Sequence, residues 1–248
     1  MLRRTRLDYF LGGFLELDLP LLQFDQVVLK GLPGRSRLQL APPLEFTLDS
    51  GEWLGIQGSS LPASTVLRLC NRLAKPLKGS IYFKDRSVEE WSAVALRRQA
   101  VLVAGEPDFL GLSVQETLCY PLQLQGIDRP RCIHQLEKIC EDWQIPTRLY
   151  DDREYQLSIP DRQRIVLARA MMLQPELLLL DLDIQSLSML QETIVPPLDR
   201  LVKEENLSIL TTIVSPDFRL PAGSRTVELS SLDIPPSPST DLEEEEVW

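Results

Sequence analysis

The chain has 248 residues, enough to bury one substantial core or one core with a smaller appended subdomain. A formal net charge of -10 argues against nucleic acid as a partner, because a polyphosphate backbone repels such a surface. A hydrophobic fraction of 44% is ordinary for a globular protein, and no apolar run approaches the roughly 20 residues of a bilayer crossing. The four cysteines, Cys70, Cys119, Cys132 and Cys140, form no CxxC pair, and His134 is the only histidine. That usage disfavours metal binding and Cys/His catalysis and reads as free thiols in a reducing cytosol.

Residues 1–20 are basic and then apolar, but Glu16 and Asp18 interrupt the run and no small-residue cleavage site follows. They read as an N-terminal extension, cytoplasmic or interfacial, rather than a signal peptide. Phe24 to Leu29, Leu38 to Leu40 and Leu44 to Leu48 read as short strands, and Asp49 to Glu52 as a turn into a buried strand, Trp53 to Gln57. Val66, Leu67, Leu69, Cys70 and Leu73 recur at helical spacing. Lys78-Gly79-Ser80 reads as a turn into Ile81-Tyr82-Phe83, and Ala100 to Ala104 as another buried strand. From about 113 to 156 the period becomes helical, which predicts an inserted helical subdomain. A helix from Gln163 to Leu173, an all-apolar strand Leu177 to Asp181 and a strand Leu207 to Val214 follow. Strands apolar on both faces and alternating with helices predict a parallel sheet covered on both sides. Residues 231–248 combine a Pro/Ser-rich stretch with Asp241 and Glu243 to Glu246, the composition of a disordered acidic tail.

Gly51-Glu52 before the Trp53 strand, Ser64 to Leu69, Lys78 to Ile81, and Leu96-Arg97-Arg98 stand in a telling order. Leu157-Ser158 with Arg162 to Arg164, and Pro175 to Asp181, complete it. The set resembles the ATP-binding subunits of ABC transporters over about 22–229. The resemblance implies an α/β, P-loop NTPase-like cassette: a mostly parallel sheet flanked by helices, an antiparallel β subdomain and the inserted helical subdomain, within 21–230. It also implies ATP and magnesium as ligands, a membrane permease and a second cassette as partners, and a peripheral place on the cytoplasmic face of the membrane. The run Tyr120 to Gln125 is weakly similar to bacterial cassettes that serve metal- or iron-export-type permeases.

Against that family the binding residues are eroded. A GxxxxGK[ST] loop works because glycines let backbone N–H groups converge on phosphates, the lysine neutralises them and the hydroxyl holds magnesium. Here the degenerate loop consists of Gly58, Ser59 and Ser60, then Leu61, Pro62 and Ala63, with Ser64 and Thr65 at its end. Counted without a gap from Gly58, Ser64 takes the lysine position; aligned on the helix start, Ala63 does and Ser64 is the hydroxyl. Both alignments lose the lysine, and Pro62 removes an N–H donor. Gly105 stands at the Q-loop glutamine, Leu182 at the general-base glutamate, Ser188 at the D-loop aspartate and Pro216 at the switch histidine. No aromatic near Gly31 and Leu32 can stack on adenine. The signature motif is reduced to Leu157-Ser158, with Ile159 and Pro160 in place of its glycines and Asp161 adding negative charge toward a phosphate. Asp181 remains for magnesium, and reads equally as a strand-end carboxylate that caps a loop.

The expectation is a pseudo-ATPase subunit of a transporter, with ATP and magnesium bound weakly or not at all. A divergent working ATPase and a soluble scaffold are the alternatives. Arg162 and Arg164 are equally explained by surface ion pairs, and Trp53, Trp91 and Trp143 by packing.

Overall fold

The computed structural model describes residues 19–29, 43–58, 60–104, 108–181, 184–213 and 218–229. The expected strand Leu38 to Leu40, the N-terminal extension and the acidic tail lie outside them. Two sheets form. The antiparallel one contains β1 (Leu22–Val28), β2 (Leu44–Leu48), β4 (Lys78–Phe83) and β5 (Arg86–Ser87) in the order β2-β1-β4-β5. The second holds β3 (Trp53–Gln57), β6 (Ala100–Ala104), β7 (Leu177–Asp181), β8 (Ser208–Ile213) and β9 (Arg225–Glu228) in the order β6-β7-β8-β3-β9, all parallel. The helices are α1 (Ser60–Cys70), α2 (Ala93–Gln99), α3 (Val114–Gln123), α4 (Arg129–Asp142), α5 (Ile159–Met171) and α6 (Ile184–Glu205).

Strand β7 shows why the sheet is covered on both sides. Leu177 and Leu179 enter the core shared with α1 and the antiparallel sheet, while Leu178 and Leu180 enter the core beneath α3, α4, α5 and α6. All four are fully buried, each worth about 2 kcal/mol of transfer free energy. Trp53 and Trp143 belong to the second core. Trp91 packs edge-on against Phe83 with ring centroids 5.7 Å apart, so all three described tryptophans pack.

Three sequence expectations change. Lys78-Gly79-Ser80 is not a turn but the start of β4, paired with a bulged β1 whose register shifts between Asp25 and Val28. A Cβ on Gly79 would lie 2.2 Å from the Gln26 carbonyl oxygen, so glycine serves close strand approach there. The long α6 was not among the expected elements, and it carries Pro196 and Pro197 inside it. Burial of Ile194, Leu198, Leu201 and Val202 offsets the proline cost. The short edge strand β9 also went unread.

The cysteines, scattered in sequence, are all buried and free. Cys119, Cys132 and Cys140 join one core with α3 and α4, and burial pushes the Cys119 thiol up to about 11, with Cys132 next to it adding to the shift. The Cys119 thiol is therefore a protonated packing group at neutral pH.

Candidate functional site

The C-terminal ends of β3 and β7 and the start of α1 meet at one point. The Ser64 hydroxyl donates to Asp181 Oδ1 at 2.7 Å, and Thr212 Oγ1 on neighbouring β8 approaches the same oxygen at 3.5 Å. Asp181 ends β7 because its strand partners Ala104 and Leu180–Thr211 bring the ladder to its close there. Ser64 reaches the carboxylate, and Ala63, one residue earlier, is fully buried among apolar neighbours.

The connection from strand to helix is short. Strand β3 ends at Gln57 and α1 begins at Ser60, so only residues 58 and 59 lie between. Ser60, expected in a phosphate loop, belongs instead to the first turn of α1, and Ser59 lies outside the described residues. The turn 60–63 therefore winds through the stretch that a longer loop would use to surround a phosphate.

Gly58 has a packing explanation of its own. A Cβ there would meet Leu229 Cβ at 3.0 Å, while the Leu229 amide donates to the Gln57 carbonyl at 2.8 Å. The glycine admits the segment leaving β9.

At the second station Leu157 is buried, and its carbonyl accepts from Arg162 Nε at 3.2 Å. Ser158 caps α5: its hydroxyl accepts from the Asp161 amide at 3.3 Å and donates to Asp161 Oδ2 at 2.6 Å. Asp161, expected to project its charge toward a phosphate, is turned back on its own helix and also faces Arg164 at 3.6 Å. Arg162 pairs with Glu154 at 3.8 Å, so both arginines make the surface ion pairs foreseen for them. The helix N-terminus that would present amides to an anion carries its own carboxylate.

The loop before α3 is tied to this region. The Phe109 amide donates to Glu154 Oε2 at 3.1 Å, Arg169 donates to the Asp108 carbonyl at 2.8 Å, and Arg153 donates to the Gly111 carbonyl. Gly105, Leu182 and Pro216 lie outside the described residues, as does the side chain of Ser188. The sequence reading missed Thr212; its signal was a Thr211-Thr212 pair inside an otherwise apolar buried strand.

A cavity of about 290 Å³ opens at the other end of the sheet. Gln135, Trp143, Asn206 and Ser208 line it, near the first residues of β7 and β8, so it is not the site built around Asp181.

A sequence model of the family described as "ABC transporter" matches residues 42–182, more than half the chain. The chain belongs to the ABC transporter family. This cassette is 26% identical over 175 residues to the energy-coupling factor transporter ATP-binding protein EcfA1 of Geobacillus kaustophilus, a match covering 68% of this chain and 61% of that protein. It is 25% identical over 200 residues to the energy-coupling factor transporter ATP-binding protein EcfA of Enterococcus faecium, covering 77% of this chain and 70% of the relative. Among solved structures, cbiO1 of Clostridium perfringens, described as part of an ABC transporter complex, superposes with a TM-score of 0.66. The sequence identity is 18% and 79% of each chain is covered, which shows the shared cassette fold. No helix among the described residues is long and apolar enough to cross a membrane.

Proposed function

We propose that this cassette is a subunit of a membrane transporter whose own phosphate site does not drive hydrolysis. It acts by pairing with a membrane permease and with a second cassette, as homodimer or heterodimer, on the cytoplasmic face of the membrane. Residues 21–230 form the cassette in this reading, with 113–156 as its helical subdomain. The observation that carries it is the contact of Ser64 with Asp181, which leaves buried Ala63 where a lysine would reach the phosphates.

ATP and magnesium are tested separately by these residues. Ser64 and Asp181 are the right hydroxyl and carboxylate for magnesium, and they favour a second reading in which nucleotide still binds weakly. The phosphate half does not fit. The connection has two residues, the first helical turn contains Pro62 with no N–H, and neither Ala63 nor Ser64 carries the lysine's charge. Removing a single group that stabilises transition-state charge costs about 3 kcal/mol of barrier, so the combined losses support an inactive site. Exposed Leu110, Tyr155 and Ile159, on the loop before α3 and at the start of α5, offer an apolar surface suited to a partner subunit.

Calorimetric titration with magnesium-ATP and phosphate release by the chain alone test the reading. The expected result is binding weaker than about 1 mM and no turnover, in the wild type and in Ala63→Lys alike, because the lysine returns without its loop. Turnover that Asp181→Ala abolishes would overturn the proposal. Recovery of a multi-spanning membrane protein in a pull-down from native membranes is expected; recovery of soluble partners alone would refute the transporter role.

A further inference from the structure

The chain is strongly acidic as a whole, yet one stretch is not. Between Arg68 and Arg98 eight lysines and arginines outnumber three acidic residues. The structure gathers six of these cations around the end of α1, the turn after it and α2. Arg97 Nε donates to the Asn71 carbonyl at 3.1 Å and its guanidinium to the Arg72 carbonyl at 3.0 Å, which fixes α2 against the end of α1. Arg68 lies in the last turn of α1, Lys75 in the connection to β4, Lys78 at the start of β4, and Arg98 beside Arg97. Among the described residues none of these six is within ion-pair distance of a carboxylate. Elsewhere Lys84, Lys203, Arg200 and Arg225 all have one.

The same surface is apolar in patches. Leu73, Leu77 and Val94 are 53%, 58% and 63% exposed, although the rest of this layer is closely packed. Cations with no carboxylate partner among the described residues, beside exposed aliphatic side chains, call for an occupant that is acidic and carries apolar groups.

We propose that the segment Asp241 to Trp248 of this same chain is that occupant. Its eight residues hold five carboxylates, with Leu242, Val247 and Trp248 among and after them. That composition is complementary in both respects to the face of α1 and α2. The segment also reaches it: the 11 residues between Leu229 and Asp241 span up to about 40 Å, against a radius of gyration of about 18 Å for a domain of this length. Tethering adds effective concentration, so contacts that are individually weak in water become sufficient.

Carbodiimide coupling joins a lysine amine to a carboxylate only where the two touch, which makes the full-length chain its own assay. Lys84–Glu176 and Lys203–Asp199, each at 2.7 Å, are internal standards of the folded state. The expected products are links from Lys75 and Lys78 to Glu243–Glu246 within monomers. Their yield should fall about fivefold in Arg68→Glu/Arg98→Glu, with the standards unchanged, and recover when Glu244→Arg/Glu245→Arg is added. Tail carboxylates coupled to Lys138 or Lys203 as readily as to Lys75 would overturn the proposal. Coupling found only in covalent dimers would also overturn it, placing the segment on a second copy.

Discussion

Ser64→Ala isolates the contact on which the reading of the phosphate site depends. The hydroxyl donates to the Asp181 carboxylate at 2.7 Å in a part-buried place, and Thr212 stands at 3.5 Å from the same oxygen, too far to replace it. Loss of such a charge-assisted bond costs about 2 kcal/mol. Alanine returns about 0.5 kcal/mol through its higher helix propensity within α1, leaving a net loss of about 1.5 kcal/mol. For a domain of this size that lowers Tm by about 3–6 °C. Asp181→Asn keeps an acceptor without the charge, so the double substitution should show a coupling of about 1 kcal/mol. Calorimetric melts of the four proteins give the cycle, and the shifts should be the same with and without magnesium-ATP. A Ser64→Ala melt within about 1 °C of wild type would show that the pair contributes nothing. A shift that appears only with nucleotide present would mean that Ser64 serves a bound ligand.

Gly58→Ala should destabilise by about 1–2 kcal/mol, because its Cβ would lie 3.0 Å from that of Leu229. Leu229→Ala should remove most of the additional cost, read as non-additivity in urea unfolding; additive losses would refute the packing role. Glu52 anchors β9 to the turn before β3, through Arg225 and the Asp49 amide. Burial alone would raise its pKa, but the bonds to Arg225 and Asp49 outweigh it and hold the carboxyl below 4.5. Its contribution is therefore complete above about pH 4.5 and is lost as pH falls through the lower folded value. Glu52→Gln should cost about 0.5 kcal/mol at neutral pH and flatten the acid limb of stability against pH. An unchanged limb would refute the assignment.

The amino-acid sequence alone was sufficient for the parallel sheet. Leu177 to Leu180 and Trp53 to Ile56 are apolar at every position, a pattern that only a strand buried on both faces sustains, and their bounds match the structure. Period and turn chemistry are local, so they are legible in a string. Contacts between distant residues are not. That the Ser64 hydroxyl comes within reach of a carboxylate 117 positions away is decided by the fold. Pro196 and Pro197 oppose a helix locally, and only the buried Ile194, Leu198 and Leu201 outweigh them. Gly58 and Gly79 looked like loop and turn residues, and their true neighbours, Leu229 and Gln26, are brought to them by the sheet. Local propensity selects the elements, while side-chain proximity across the fold determines what each residue at the site can touch.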